Sequence, residues 1–117
     1  MAKTILIIDD DAAIRQFLDM LLRDNGYETL QAGDGAQALA VLETRTPDLI
    51  TLDIEMPEVT GPKLNRLLTK QGKGAIPIVV ITGHTGLKYV IPKAVASLTK
   101  PFDRNELLSI VRETIGT

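Results

Sequence analysis

Four places in this 117-residue chain carry side chains that could do chemistry together. Asp9, Asp10 and Asp11 close an apolar run, and Asp53 closes another. Thr82 closes a third, and Lys100, followed by Pro101, comes after a fourth. Carboxylates brought to one place repel unless they are protonated or bridged by a cation. A hard divalent ion answers that need, because Mg2+ prefers oxygen ligands and is held by one or two carboxylates plus phosphate oxygens. Such an ion, an ammonium and a hydroxyl around a carboxylate nucleophile make a phosphoryl-transfer site. Asp53 would attack phosphorus and become an acyl phosphate. Lys100 would pair with Asp53 and then with the phosphoryl group. Thr82 would move to donate a hydrogen bond to a phosphate oxygen.

Taken singly, each of these residues has a plainer use. Asp is a favoured helix N-cap, and Asp11 is read as one. A Thr at a strand end is usually structural. A Lys is usually a solvated surface charge. The plainer uses weaken when the residues are taken together, because an acid at the end of a neighbouring strand adds like charge to like charge. Lys100 precedes a proline, which holds it extended and aims it across the strand ends.

The elements that must position these residues follow from hydrophobic periodicity. Thr4 to Ile8 is a continuous apolar, β-branched run, hence a buried strand. Asp11 to Asp24 has Ile14, Phe17, Leu18, Leu21 and Leu22 at helical spacing, and Asn25-Gly26 ends it. Glu28 to Ala32 is a patterned edge strand. Asp34 with Gln37 opens a helix to about Thr44 by a capping box. Leu49 to Leu52 is a third strand, Thr60 to about Lys70 a helix, Ile76 to Ile81 a fourth strand and Val95 to Leu98 a fifth. Asp103 with Glu106 opens a last helix bearing Leu107, Leu108, Val111 and Ile115 on one side. Strands alternating with helices predict a parallel α/β sheet covered on both faces. Ligands of such sheets lie beyond the carboxyl ends of the strands.

Composition narrows the function classes. The chain has no Cys, which excludes disulfides, thiol chemistry and Cys-ligated zinc. Its formal net charge is -2, with no basic stripe, so no nucleic-acid binding is expected. No apolar run is long enough to span a bilayer, and the opening segment is too short for a signal-peptide core. No membrane association is expected, and the expected location is cytoplasmic. The length suits one domain over 1–117. No output domain follows Thr117 in this sequence, so the expectation is action through a partner, unless the chain is a piece of a larger protein.

Four stretches together resemble the response-regulator receiver domain of bacterial two-component systems. They are Ile5-Leu6-Ile7-Ile8-Asp9-Asp10-Asp11, Leu52-Asp53-Ile54-Glu55-Met56-Pro57 with Gly61, Ile78-Val79-Val80-Ile81-Thr82-Gly83, and Leu98-Thr99-Lys100-Pro101-Phe102. Their order and near-family spacing cover essentially the whole chain. The resemblance implies a flavodoxin-like, doubly wound, five-stranded parallel sheet of order 2-1-3-4-5. It implies that Asp53 is the phosphoacceptor. Asp10, Asp53 and the backbone carbonyl of Glu55 would bind Mg2+ directly, and Asp9 would act through a metal-bound water. The donor it implies is a phosphohistidine on a sensor histidine kinase or a histidine phosphotransfer protein. The downstream protein is not implied.

Three departures stand out. Receivers usually carry Tyr or Phe three residues before the lysine, and here that position is Ser97. The stretch between Thr82 and Lys100 is short and holds Gly83, Gly86 and Pro92, so the family's fourth helix is expected to be shortened or replaced by a loop. This resembles atypical receivers with a Thr-Gly motif and a reduced fourth helix. Glu55 and His84 occupy positions that in the family flank the phosphoryl group and tune hydrolysis. The rival function is an aspartate-nucleophile phosphatase using Asp9, with Asp11 as general acid. That class also needs an acidic metal motif after the lysine, where only Asp103 stands. A flavodoxin-type binding module would need a Gly, Ser and Thr phosphate loop where three aspartates stand. A docking-only receiver would not need the acid set, Thr82 and Lys100 intact.

Overall fold

The computed structural model describes residues 2–53, 66, 68–70, 72, 74–83 and 94–116. Strand β1 (Thr4–Ile8) is buried at every position, as a run apolar but for Thr4 inside a parallel sheet should be. Helix α1 (Ala12–Asp24) begins at Asp11, whose carboxylate accepts from the Ala13 and Ile14 amides, and ends at Asn25. The next residue, Gly26, has φ +93°, a left-handed conformation that favours glycine. Strand β2 (Glu28–Ala32) and helix α2 (Gly35–Thr44) follow. Asp34 caps α2 by accepting from the Gln37 amide. Gln37 returns its side chain to the Gly33 amide, one residue earlier than the usual capping-box partner.

Strands β3 (Leu49–Leu52) and β4 (Ile78–Thr82) are fully buried, and β5 (Ala94–Thr99) alternates along an edge. Residues 66 and 68–70 are helical, with Leu68 buried. The rest of the helix expected over 60–70 lies outside the described residues. The C-terminal helix (Arg104–Ile115) starts at Asp103, which accepts from the Asn105 amide.

The sheet is parallel throughout, with order β2-β1-β3-β4-β5. Each of its faces carries its own core. Leu6, Ile8, Ile50, Leu52, Ile78 and Val80 pack against Ala38 and Leu42 of α2 and against Leu68. Ile5, Ile7, Leu49, Val79 and Ile81 pack against Leu18 and Leu22 of α1 and Leu107 and Val111 of the C-terminal helix. Strand side chains alternate between faces, so this split fixes where the next residues must go. Asp9 and Asp53 continue the Ile5–Ile7 and Leu49–Thr51 rows, on the face of α1 and the C-terminal helix.

Two strands differ in their bounds from the sequence expectation, β4 and β5, the latter running over Ala94–Thr99 and not only Val95–Leu98. Strand β4 begins at Ile78, not Ile76, and runs on through Thr82. Pro77 has no amide hydrogen to give the ladder; it only accepts, from Ile50 N–H at 3.0 Å. The expected loss of the fourth helix concerns residues 84–93, which lie outside the described residues, as do Glu55 and His84.

Candidate functional site

Register brings the acids together. Ile8 of β1 pairs with Leu52 of β3, so one residue further on Asp9 and Asp53 stand side by side. The Asp53 amide donates to the Ile8 carbonyl at 3.0 Å, and the Asp9 amide to the Ala32 carbonyl at 3.1 Å. Both acids are buried, 2% and 4% exposed, while Asp10 is exposed. Carboxylate oxygens of Asp9, Asp10 and Asp53 all lie within 4.8 Å of one another.

Lys100 arrives from the far side of the sheet. Its amide donates to the Thr82 carbonyl at 2.6 Å, which ends the β4–β5 ladder and sends its side chain over the strand ends. The Lys100–Pro101 peptide is cis. The Lys100 ammonium donates to Asp9 Oδ2 at 3.1 Å and to Asp53 Oδ2 at 3.4 Å. Burial, the largest influence, pulls the pKa of this ammonium down. The hydrogen bond to Asp9, the charges of Asp53 and Asp9, and the bond to Asp53 together outweigh burial. The net direction is upward from 10.5, so Lys100 is an ammonium at neutral pH.

Three formal negative charges face one positive charge. The two left over match a divalent cation, and a donor set of carboxylate oxygens suits a hard one. The residues present therefore fit such an ion. Thr82, 4% exposed, ends β4, the strand beside Asp53's own. Thus Asp9, Asp10, Asp53 and Lys100 come together as the sequence suggested, and Thr82 ends the adjoining strand. The Glu55 carbonyl lies outside the described residues. Beside the site, Ala13, Ile14, Phe17, Lys100, Pro101 and Phe102 line an apolar cleft of about 530 Å3.

The phosphatase arrangement does not fit these contacts. Asp9 would be the nucleophile, yet its Oδ1 is tied to the Asp11 amide. Asp11 would be the general acid, yet its carboxylate is the α1 cap.

Sequence reasoning missed one residue that touches the site. Arg15 Nη1 donates to the Asp9 carbonyl at 2.7 Å. An Arg on the first turns of an amphipathic helix reads as surface charge, so residue type gave no signal. The spacing, four residues past the cap, would have been the only clue.

The sequence model of the response regulator receiver domain matches residues 5–112. This chain belongs to that receiver family. It is 33% identical to Rrf1 of Nitratidesulfovibrio vulgaris over all of its own length and 86% of that protein. It is 35% identical to the DNA-binding response regulator MtrA of Mycobacterium tuberculosis over 96% of its own length and 50% of MtrA. The chain therefore spans about half the length of that relative. Among solved structures, the chemotaxis response regulator CheY4 of Vibrio cholerae superposes with TM-score 0.87 at 30% identity, covering 97% of this chain and 99% of CheY4. The receiver domain of the sensor histidine kinase PA1611 of Pseudomonas aeruginosa, solved with a magnesium ion coordinated in its active-site cleft, superposes with TM-score 0.87 at 28% identity over the full length of both. This receiver is a phosphorylation-dependent signalling switch with the flavodoxin-like sheet expected for the family. Among the described residues, no helix is long and apolar enough to cross a membrane.

Proposed function

We propose that Asp53 accepts a phosphoryl group from a phosphohistidine and that Mg2+ is the ion required. The observation that carries this reading is the Lys100 ammonium held between Asp9 and Asp53, with Asp10 completing a three-carboxylate cluster. An Asp53 carboxylate oxygen attacks phosphorus. The bond from phosphorus to the donor imidazole nitrogen breaks, and its electron pair returns to the ring. Asp53 becomes an acyl phosphate, and Lys100 turns from its carboxylate to the new phosphoryl oxygens. Thr82, at the end of the next strand, donates its hydroxyl hydrogen to one of those oxygens. Asp10, Asp53 and the backbone carbonyl of Glu55 would hold the metal, and Asp9 would act through water. When bound, the ion neutralises charge on the transferring oxygens. Burial of Asp9 and Asp53 makes each of these charge contacts stronger than it would be in water.

The donor is a sensor histidine kinase or a histidine phosphotransfer protein. The apolar cleft beside Lys100 supports a protein donor, since Phe17 there is 42% exposed. A relative called the CAI-1 autoinducer sensor kinase/phosphatase CqsS carries a matching segment over 17% of its length. This receiver is a switch rather than a turnover enzyme. It acts in the cytoplasm on a downstream protein, and its net charge of -2 gives it no footprint for nucleic acid. Ser97, exposed on β5, has no ring to swing inward, so the output does not use an aromatic switch there.

The test is incubation with acetyl phosphate and Mg2+, followed by mass measurement and hydroxylamine cleavage. Wild type should gain one hydroxylamine-labile phosphoryl group and Asp53→Asn none. Label retained on Asp9 in the Asp53→Asn protein would revive the phosphatase reading and end this one.

A further inference from the structure

Three of the four groups at the site are tied in place by their own side chains. Asp9 is gripped by the Asp11 amide and by Lys100, and Asp53 also binds Lys100. Asp10 differs. Its exposed carboxylate makes no hydrogen bond to the described residues, so its place is set by its backbone alone. That backbone is held from behind. Arg15 Nη1 donates to the Asp9 carbonyl at 2.7 Å, and this carbonyl belongs to the peptide that joins Asp9 to Asp10. The peptide is planar, so fixing its oxygen fixes the direction in which the chain leaves for the Asp10 Cα. The Asp9 amide is fixed on the other side by the Ala32 carbonyl.

The guanidinium is itself supported. It lies against Gly33, where a Cβ would stand 3.0 Å from Nη1 and 3.4 Å from Cζ. The Gly33 amide donates to Gln37 Oε1 at 2.7 Å, which pins the β2–α2 turn beneath the arginine.

We propose that Arg15, seated on Gly33, is a positioning residue that orients Asp10 as a metal ligand through the Asp9 carbonyl. The inference rests on the reading of Asp9, Asp10 and Asp53 as a Mg2+ site. It has a sign that simple electrostatics does not share. Arg15 is a cation near a cation site, so removing it should tighten Mg2+ binding if charge were its whole effect. A positioning role demands the opposite. Partners one step behind a metal ligand typically change affinity about tenfold or more when lost.

The experiment is a Mg2+ titration of the full chain without phosphodonor, read by amide shifts, on wild type, Arg15→Met, Gly33→Ala and Asp53→Asn. Arg15→Met keeps side-chain length and removes the donor. Gly33→Ala keeps the charge and makes the guanidinium give way by a few tenths of an ångström. Dissociation constants should rise about tenfold for Arg15→Met and by a smaller factor for Gly33→Ala. Phosphorylation by acetyl phosphate should show the Mg2+ half-saturation raised and the rate at saturating Mg2+ near wild type. Equal or tighter Mg2+ binding by Arg15→Met, with wild type responding normally, overturns the positioning role. Should Arg15→Met not fold, Gly33→Ala decides alone by the same criterion. A wild type that shows no Mg2+ response, or one that Asp53→Asn leaves untouched, overturns the underlying site reading instead.

Discussion

The two ends of the sheet treat charge in opposite ways. At the amino end, Asp48 accepts from the Thr4 amide at 2.8 Å while the Asp48 amide donates to the Thr4 carbonyl at 2.7 Å. One acid there answers one set of orphan backbone groups and is finished. Nearby, the Tyr27 hydroxyl donates to the Gly116 carbonyl at 2.8 Å, and Arg112 donates to Asn25, which ties the end of the last helix to the α1–β2 turn. At the carboxyl end, three acids cluster around one lysine that pairs with only the two buried ones, Asp9 and Asp53. A set of contacts chosen for stability would look like the first end. The second end keeps excess charge that folding alone has no use for, and that excess is what a cation and a phosphoryl group can answer.

The largest effects should come from removing that unbalanced charge. Asp53→Asn should lower phosphoryl incorporation to background while leaving the melting temperature the same or higher, since one repelling charge is gone. A clear drop in melting temperature would mean that the carboxyl end is built for stability after all. Lys100→Met should instead lower stability in the absence of metal. Leaving Asp9 and Asp53 buried without their shared cation should cost about 3 kcal/mol, measured by urea denaturation. Mg2+ should restore much of that, because a ligand at a hundred times its dissociation constant adds about 2.7 kcal/mol. Failure of Mg2+ to restore any of it would put the cation site elsewhere.

Most of the carboxyl end was legible because each of its groups terminates an apolar run. Asp9, Asp53 and Thr82 follow strands whose boundaries are written in Ile, Leu and Val, and a parallel sheet brings all such ends to one side. Lys100 follows the weakest strand, yet its place before Pro101 marked it. The error in β4 came from Ile76-Pro77, apolar by pattern but unable to complete the ladder at the proline. Arg15 was illegible for a different reason. It acts on a main-chain carbonyl, which every residue has, so no pairing of side-chain types announces it. The twofold use of α2's opening was half legible: Asp34 and Gln37 were read as a reciprocal pair, but the glutamine serves Gly33.

The amino end should respond in stability only. Asp48→Ala should cost about 1–2 kcal/mol, the value of a charge-assisted hydrogen bond to an amide, and leave the phosphorylation rate at wild-type level. A change in that rate would break the separation of the two ends. Tyr27 supplies a pH signature for the same end. Burial raises its pKa above 10.0, with Arg112 pulling it partly back. The folded state thus holds the phenol proton more tightly than the unfolded chain. Its contribution is complete below pH 10.0 and fades as pH rises from there through the folded value. Tyr27→Phe should lose about 1 kcal/mol at pH 7, and its deficit relative to wild type should shrink above pH 10.0. Lys100 titrates in the same alkaline range in both proteins, so the comparison cancels it. A deficit that stayed constant to the highest accessible pH would show that the Gly116 bond is not what Tyr27 contributes to stability.

The smallest effect concerns a group between the two ends. Thr51 lies in the middle of β3, 1% exposed, and its hydroxyl oxygen is the only buried side-chain N or O atom without a partner among the described residues. It shares its face with Asp53 two residues on, and its strand neighbours are Ile7 and Val79. A buried hydroxyl without a partner costs about 1–3 kcal/mol, whereas an apolar group of the same shape costs nothing there. Thr51→Val should therefore stabilise the fold by about 1 kcal/mol. It should do so without altering Mg2+ affinity or phosphorylation if the hydroxyl is only a tolerated flaw of packing. If phosphorylation falls while stability rises, the flaw belongs to the working end, and the boundary between the two regions moves two residues down β3.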